Sequence, residues 1–272
     1  GVPLICGCPP KDPANPVIED RAVEVGATAA FLETDFNCTY QGETPADHDQ
    51  LPQPEPPPVS SESGSKSSLS YKSGAGLELG NVQLPLFGSH QAKNAAVAVA
   101  TIEELSRSGW NQLGEAEIRQ GLANVRCPGR IEVIGRRPLV VVDAAHNVAS
   151  VRALCEVMNQ ELRTEKRWLV FGTSGDKDIE GMLSVLLPEF DEVVLTRYLT
   201  NPRAASPPDL LKIASPLAPA TTRLSTCDNP HQACQQFIDQ ASEQDAICIA
   251  GSFYLVAEVR ESLIEQRETF AL

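Results

Sequence analysis

The chain has 272 residues, of which 36 are acidic and 22 basic, so its formal net charge is −14 at pH 7. This balance argues against a general affinity for nucleic acid or anionic membranes, because both select for excess Lys and Arg. Hydrophobic residues make up 42% of the chain and no apolar run is long enough to cross a bilayer. We therefore expect a cytoplasmic, monomeric protein of two domains, with no nucleic-acid or membrane partner.

The first 68 residues mix short regular elements with an irregular segment. A strand is predicted over Val2–Cys6, a helix over Pro16–Val25 and a second strand over Thr28–Leu32. Residues 41–68 contain six prolines followed by a serine-rich run. Because proline lacks a backbone donor and serine buries little surface, we expect a mobile, exposed loop there.

Three further elements are predicted between this loop and residue 127. Ser70–Tyr71 and Val82–Leu86 flank a glycine-rich stretch, which indicates a hairpin. A helix is expected from Ser89 and another over Glu115–Ala123. The spacing of apolar residues predicts that the first of these helices buries one face, formed by Ala95, Ala98, Val99, Ile102 and Leu105.

The remaining residues alternate between strand and helix patterns. Apolar strands are predicted to start near Leu139, Leu169, Val193, Thr221 and Ala246. These starts lie 24 to 30 residues apart, which is the length of one strand and one crossover helix. Ile131–Ile134 is expected to add a hairpin strand. The pattern predicts an open α/β domain with a Rossmann-like, mostly parallel sheet.

Eight cysteines are present, but their spacing does not indicate a metal or disulfide site. Cys6 and Cys8 are one residue apart, and the sequence contains no CxxC pair. Cys155 and Cys248 fall in apolar segments, where cysteine acts as a small hydrophobic residue. We expect reduced thiols and no metal ligands in this chain.

Polar residues follow the first predicted parallel strand, at the edge where open α/β sheets bind ligands. Asp143 ends this strand, His146 lies in the turn, and Asn147 can cap the next helix. Function and a purely structural role for Asp143 are about equally supported at this point. Arg130 lies at the break between the two halves and can bind a phosphate or pair with a surface carboxylate.

Two other segments have a similar design. Gly88–Asn94 places polar side chains in the first turn of a helix, where spare amide donors suit an anion or a purine edge, although taken alone the segment fits better an ordinary cap whose polar residues face water. Ser174–Asp178 and Ser252 follow later strands, and each suits either a ligand-binding loop or an ordinary solvated cap. The sequence contains no GxxxxGK[ST] phosphate loop and no GxGxxG fingerprint after a strand.

Taken in order, six segments resemble the folylpolyglutamate synthase/dihydrofolate synthase family of the Mur ligase superfamily. The similarity also includes the opening GVPLICG, so it spans nearly the whole chain outside the Pro/Ser-rich loop. The matching segments are LPLFGSHQAKNAAVAVA (84–100), PGRIEVI (128–134), VVVDAAHN (140–147), VFGTSGDKD (170–178), NPRAA (201–205) and IAGSFYLVAEVR (249–260).

The resemblance implies an ATP-dependent ligase that joins L-glutamate to a folate or dihydropteroate carboxylate through an acyl phosphate. It implies that Asn94 contacts adenine, Asp143 the ribose, Arg130 the ATP phosphates and His146 the terminal phosphate. Arg130 and His146 would then be the catalytic residues. Ser252 and the loop Asp176–Asp178, including Lys177, would lie near the incoming glutamate.

The resemblance also implies two domains and a missing part. Residues 1–127 would be the end of the Mur-type central ATP-binding domain, with 41–68 as a loop, and residues 128–272 the glutamate-ligase domain. The family's phosphate loop and its Mg²⁺ ligands would precede this chain, so we expect the isolated chain to be inactive. Two alternatives stay open: another Mur-type amino-acid ligase, or an inactive ligase-derived binding module.

Overall fold

A computed structural model describes residues 2–42, 67–110 and 113–270, with side chains up to residue 266. The chain divides into two compact units, one ending at Arg126 and the other starting at Cys127. The loop expected over 41–68 falls almost entirely outside the described residues. None of the described helices is long and apolar enough to span a bilayer.

The described part of the first unit contains a parallel pair of strands, an antiparallel three-stranded sheet and three helices. The predicted hairpin is confirmed as β4 and β5, but β3, which pairs with β4, was not predicted. Its sequence, FNCTYQ, alternates apolar and polar residues, which is the pattern of a half-buried strand, so the signal was present and was missed. The elements are β1 (Leu4–Cys6), α1 (Ala14–Glu24), β2 (Ala29–Phe31), β3 (Phe36–Gln41), β4 (Ser68–Ser73), β5 (Glu78–Gln83), α2 (Ser89–Arg107) and α3 (Glu115–Ala123).

The buried face of α2 differs in part from the predicted one. Ala95 and Val99 are buried and Ile102 is half-buried, as expected, but Ala98 and Leu105 are exposed. The buried face of α2 is instead formed mainly by alanines, and it differs from the face predicted from the positions of the larger apolar side chains. An alanine-rich helix leaves this choice open, because alanines occur on both faces. The buried residues of α2 are Gln91, Ala92, Ala95, Ala96, Val99 and Ala100.

The second unit is an open α/β domain whose sheet has the strand order β10-β9-β8-β11-β7-β6. All pairs are parallel except β6–β7, an antiparallel hairpin, so the predicted fold class and hairpin strand are confirmed. The central strands β7 and β11 are buried throughout, whereas the edge strand β10 is mostly exposed. The strands are β6 (Glu132–Arg136), β7 (Leu139–Asp143), β8 (Arg167–Phe171), β9 (Glu192–Leu195), β10 (Arg223–Thr226) and β11 (Ala246–Ala250).

Helices connect the parallel strands, so the carboxyl ends of the strands all lie at one edge of the sheet. The predicted apolar stripe Leu255, Val256, Val259 and Leu263 is buried in the core between α8 and the sheet. The same edge therefore receives the polar segments that follow β7, β8 and β11. The helices are α4 (Val148–Gln160), α5 (Ile179–Leu186), α6 (Pro207–Ala214), α7 (Pro230–Gln240) and α8 (Phe253–Phe270).

Candidate functional site

Asp143 ends β7 and is buried, with 5% of its surface exposed. Its Oδ2 accepts a hydrogen bond from the Ile131 amide and its Oδ1 one from the Ala145 amide, both at 2.7 Å. Burial raises the pKa of Asp143 to about 6, while the two amide donors and the neighbouring Arg130 and His146 side chains act in the opposite direction. Asp143 therefore ties the turn before β6 to the turn after β7.

We call residues 127–131 the Arg130 turn. Its backbone is unusual, because Gly129 has φ +70° and Ile131 has φ +46°. Glycine adopts a positive φ at little cost, but a β-branched residue there costs about 1–3 kcal/mol. The Ala144 amide donates to the Gly129 carbonyl at 2.8 Å. The bonds from the rest of the site thus hold the Arg130 turn in a strained conformation.

The Arg130 turn presents a half-buried guanidinium at the carboxyl edge of the sheet. Its Cζ lies 5.4 Å from the ring centroid of Phe253, the first residue of α8, which is a cation–π contact. Within the described part of the chain, no carboxylate pairs with this guanidinium and no hydrogen bond engages it. Its donors are therefore available to an anion.

His146 follows Asp143 by three residues and is half-buried. Its Nδ1 lies 2.9 Å from the Ala144 carbonyl oxygen. Because a carbonyl only accepts, Nδ1 carries a proton and Nε2 is the ring nitrogen available to a ligand. Asn147 caps α4, as predicted, by accepting from the Ser150 amide at 2.9 Å. Arg130 and His146 both lie near enough to Asp143 to lower its pKa, so the structure brings these three residues together.

The loop over residues 174–178 is held by the segment that contains Arg203. The Gly175 amide donates to the Arg203 carbonyl, and the Arg203 guanidinium pairs with Asp176 at 2.6 Å. This pairing lowers the pKa of Asp176. Asp178 caps α5 and Lys177 is exposed. Of the charged residues predicted near glutamate, Asp176 therefore already has a partner, and Lys177 faces solvent.

Ser252 directly precedes α8 and is buried, and its Oγ accepts from the Tyr254 amide at 3.1 Å. Two buried hydroxyls at the same edge were not predicted: Thr173 after β8 and Thr196 after β9, each with an Oγ1 that has no partner among the described residues. The signal was present in the sequence as a threonine soon after each apolar strand. It is weak because threonine is common in strands and turns alike.

Asn94 lies in the other unit, on the exposed side of α2. Its Nδ2 donates to Gln91 Oε1 at 3.2 Å, and Gln91 Nε2 lies 3.1 Å from His90 Nε2. The polar cluster predicted at the start of this helix therefore exists. No group of three or more His, Cys, Asp or Glu side chains able to hold a metal ion occurs among the described residues.

Residues 129–253 match the family described as "Mur ligase, glutamate ligase domain". The chain therefore carries a Mur ligase glutamate ligase domain. The matched range contains Arg130, Asp143, His146 and Ser252. The resemblance stated from the sequence segments is confirmed.

Curated relatives of this glutamate ligase domain carry the names expected from the sequence. The dihydrofolate synthase/folylpolyglutamate synthase of Mycobacterium tuberculosis is 40% identical over 132 residues, which are 48% of this chain and 27% of that protein. The folylpolyglutamate synthase of Lacticaseibacillus casei is 31% identical over 186 residues, which are 68% of this chain and 41% of that protein.

Solved structures extend the similarity beyond the glutamate ligase domain. The M. tuberculosis folylpolyglutamate synthase complexed with ADP and AMPPCP has a TM-score of 0.78 and 28% identity over 96% of this chain and 55% of that one. E. coli FolC in complex with DHPP and ADP has a TM-score of 0.73 and 26% identity over 97% of this chain and 54% of that one. The chain thus spans about half the length of these solved relatives.

The buried Asp143 of the glutamate ligase domain predicts an unusual pH dependence of stability. Its pKa of about 6 in the folded state exceeds its ordinary value of 3.8. Between these values the folded state keeps a proton that the unfolded chain has released, so the Asp143 contribution falls as pH rises. At 1.36 kcal/mol per pKa unit the fall is about 3 kcal/mol in total, complete above about pH 7.

This dependence is measured as the difference between the wild type and Asp143→Asn in urea unfolding from pH 4 to 8. Trp168 reports on the second unit, because it is buried there, and Trp110→Phe removes the other tryptophan. We expect the free energy of unfolding of the wild type to fall relative to Asp143→Asn as pH rises. A constant difference across this range would contradict the prediction.

Proposed function

We propose that this chain acts within an ATP-dependent ligase that adds L-glutamate to a folate or dihydropteroate carboxylate through an acyl phosphate. The names of the curated relatives support the reaction, and the solved relatives bound to ADP support the nucleotide. Because the sequence contains no phosphate-loop motif, we propose that further polypeptide completes the active site.

The observation that carries this proposal is that the Arg130 guanidinium, which has no carboxylate partner among the described residues, and His146 both lie near Asp143. Both side chains lie at the carboxyl edge of the sheet, and both can donate to an anion. Because Nδ1 of His146 is occupied by the Ala144 carbonyl, Nε2 binds a phosphate oxygen only in the doubly protonated form. We propose that Arg130 binds the ATP phosphates and that His146 stabilises the transferring terminal phosphate.

The remaining roles are proposed for residues whose own contacts leave them capable of binding. Asp143 keeps a second lone pair on each oxygen, which a ribose hydroxyl can approach as donor. Asn94 is exposed and offers an amide suited to an adenine edge. We propose that Lys177 and Ser252 bind the glutamate. Asp176 orients the loop over residues 174–178 through its ion pair with Arg203.

Magnesium is proposed as the metal that accompanies ATP. The described residues bring no group of ligands together, so the Mg²⁺ ligands are proposed to lie outside them. Arg130, Asp143 and His146 are held by hydrogen bonds, backbone contacts and the Phe253 ring.

Ligand titrations of the purified chain separate this function from its alternatives. We expect ADP and L-glutamate each to bind, and ATP-dependent glutamate addition to either pteroate substrate to be undetectable with the chain alone. Binding of another amino acid in preference to glutamate would favour a different Mur-type ligase. If calorimetry detected neither ADP nor any amino acid, an inactive binding module would be the better reading. Measurable glutamate addition would contradict the need for further polypeptide.

A further inference from the structure

Glu132 and Arg260 form an ion pair next to the Arg130 turn, and neither residue was predicted to have a role. Arg260 Nε lies 2.8 Å from Glu132 Oε2 and its Nη2 lies 2.5 Å from Glu132 Oε1. This bidentate geometry is the strongest form of an arginine–carboxylate pair. The side chains are mostly buried, at 15% exposed for Glu132 and 25% for Arg260.

The pair also reaches the backbone of the turn. Glu132 Oε2 accepts a hydrogen bond from the Gly129 amide at 2.8 Å. Gly129 has φ +70° and contributes its carbonyl to the Ala144 amide. On the other side of Arg130, the Ile131 amide is held by Asp143. The two neighbours of Arg130 are therefore fixed by two carboxylates from different elements.

We infer that the Glu132–Arg260 pair is a positioning clamp that holds the Arg130 turn so that the Arg130 guanidinium meets its anion in one orientation. Arg260 lies on α8, the helix whose first residue, Phe253, contacts that guanidinium. Helix α8 thus supports the backbone of the Arg130 turn, through the Arg260–Glu132 pair, and also the Arg130 side chain, through Phe253. This inference rests on the proposed nucleotide-binding role of Arg130.

The strain at Ile131 explains why such a clamp is needed. A β-branched residue at φ +46° favours return to negative φ, and that change would swing the Arg130 side chain away from its place over Phe253. Asp143 opposes the change at the Ile131 amide, and Glu132 opposes it at the Gly129 amide. Strained backbone at a ligand-binding turn persists only where the surroundings determine it in this way.

The test compares Glu132→Gln with the matched control Glu189→Gln. Glu189 pairs with Arg167 in the same unit, at the amino ends of the strands. We expect Glu132→Gln to speed hydrogen exchange at the Gly129 amide about tenfold and to weaken ADP binding by roughly the same factor, because a charge-assisted hydrogen bond is lost. Glu189→Gln is expected to change neither quantity. Arg260→Met should reproduce the effects of Glu132→Gln.

A double-mutant cycle with Arg130→Ala then separates positioning from general destabilisation. If Glu132 acts through Arg130, Glu132→Gln costs little further ADP affinity once Arg130 is alanine. An equal loss in both backgrounds would overturn the positioning role, as would unchanged ADP affinity or unchanged Gly129 exchange in Glu132→Gln. Failure of the wild type to bind ADP would instead refute the proposed function, and the positioning role with it.

Discussion

Arg130→Ala is expected to weaken ADP binding by roughly 30- to 150-fold, which is about 2–3 kcal/mol. The guanidinium is half-buried, lies over Phe253 and has no carboxylate partner among the described residues. Its removal therefore costs the fold little, while a bound phosphate loses its charge-assisted donors. Isothermal calorimetry with ADP measures the change, and thermal unfolding shows whether the variant remains folded.

Two further variants give this experiment its controls. Arg130→Lys keeps the charge but loses the planar fork and its contact with the ring, so we expect an intermediate loss of affinity. Arg223→Ala removes an arginine that pairs with Glu192 at the opposite edge of the same sheet, and ADP affinity should not change. Equal affinity of the wild type and Arg130→Ala would show that the phosphates are bound elsewhere.

The sheet of the second unit could be predicted because its strands are buried on both faces. Such strands are near-continuous apolar runs, and their spacing by one crossover helix leaves few other topologies. β3 has a different signal, the alternation of apolar and polar residues in FNCTYQ, which indicates a half-buried strand and was missed because the segment is short. The prediction of the buried face of α2 was partly wrong, because alanines occur on both faces of this helix and do not indicate which face packs in the core.

The residues of the candidate site could be predicted from the sequence, but the contacts that hold the Arg130 turn in place could not. Asp143 and His146 stand together in sequence at the end of a strand, where ligands bind. In contrast, the contact between Glu132 and Arg260 joins residues 128 positions apart, and no local pattern signals it. The positive φ of Ile131 was equally hidden, because isoleucine is among the residues least suited to that conformation.

Gly251 is the position where a single methyl group should have the largest effect on stability. It lies between β11 and Ser252 with φ +114°, and a Cβ there would come within 2.7 Å of the Gly172 carbonyl oxygen and 2.8 Å of the Phe171 ring. Both neighbours belong to the β8 end of the sheet, whose residues are packed in the core. The close approach therefore cannot be relieved by moving a flexible side chain.

Gly251→Ala is expected to lower the free energy of unfolding by about 3–5 kcal/mol, from backbone strain and overpacking together. Gly175→Ala is the matched control, because the nearest atom to its added Cβ is 4.0 Å away and its φ is ordinary. Urea unfolding followed by Trp168 fluorescence in the Trp110→Phe background measures both variants. A decrease in the free energy of unfolding of less than about 1 kcal/mol for Gly251→Ala would mean that the backbone between β11 and α8 can shift to accommodate the methyl group. That result would contradict the prediction that Ser252 and Phe253 are held rigidly at the start of α8.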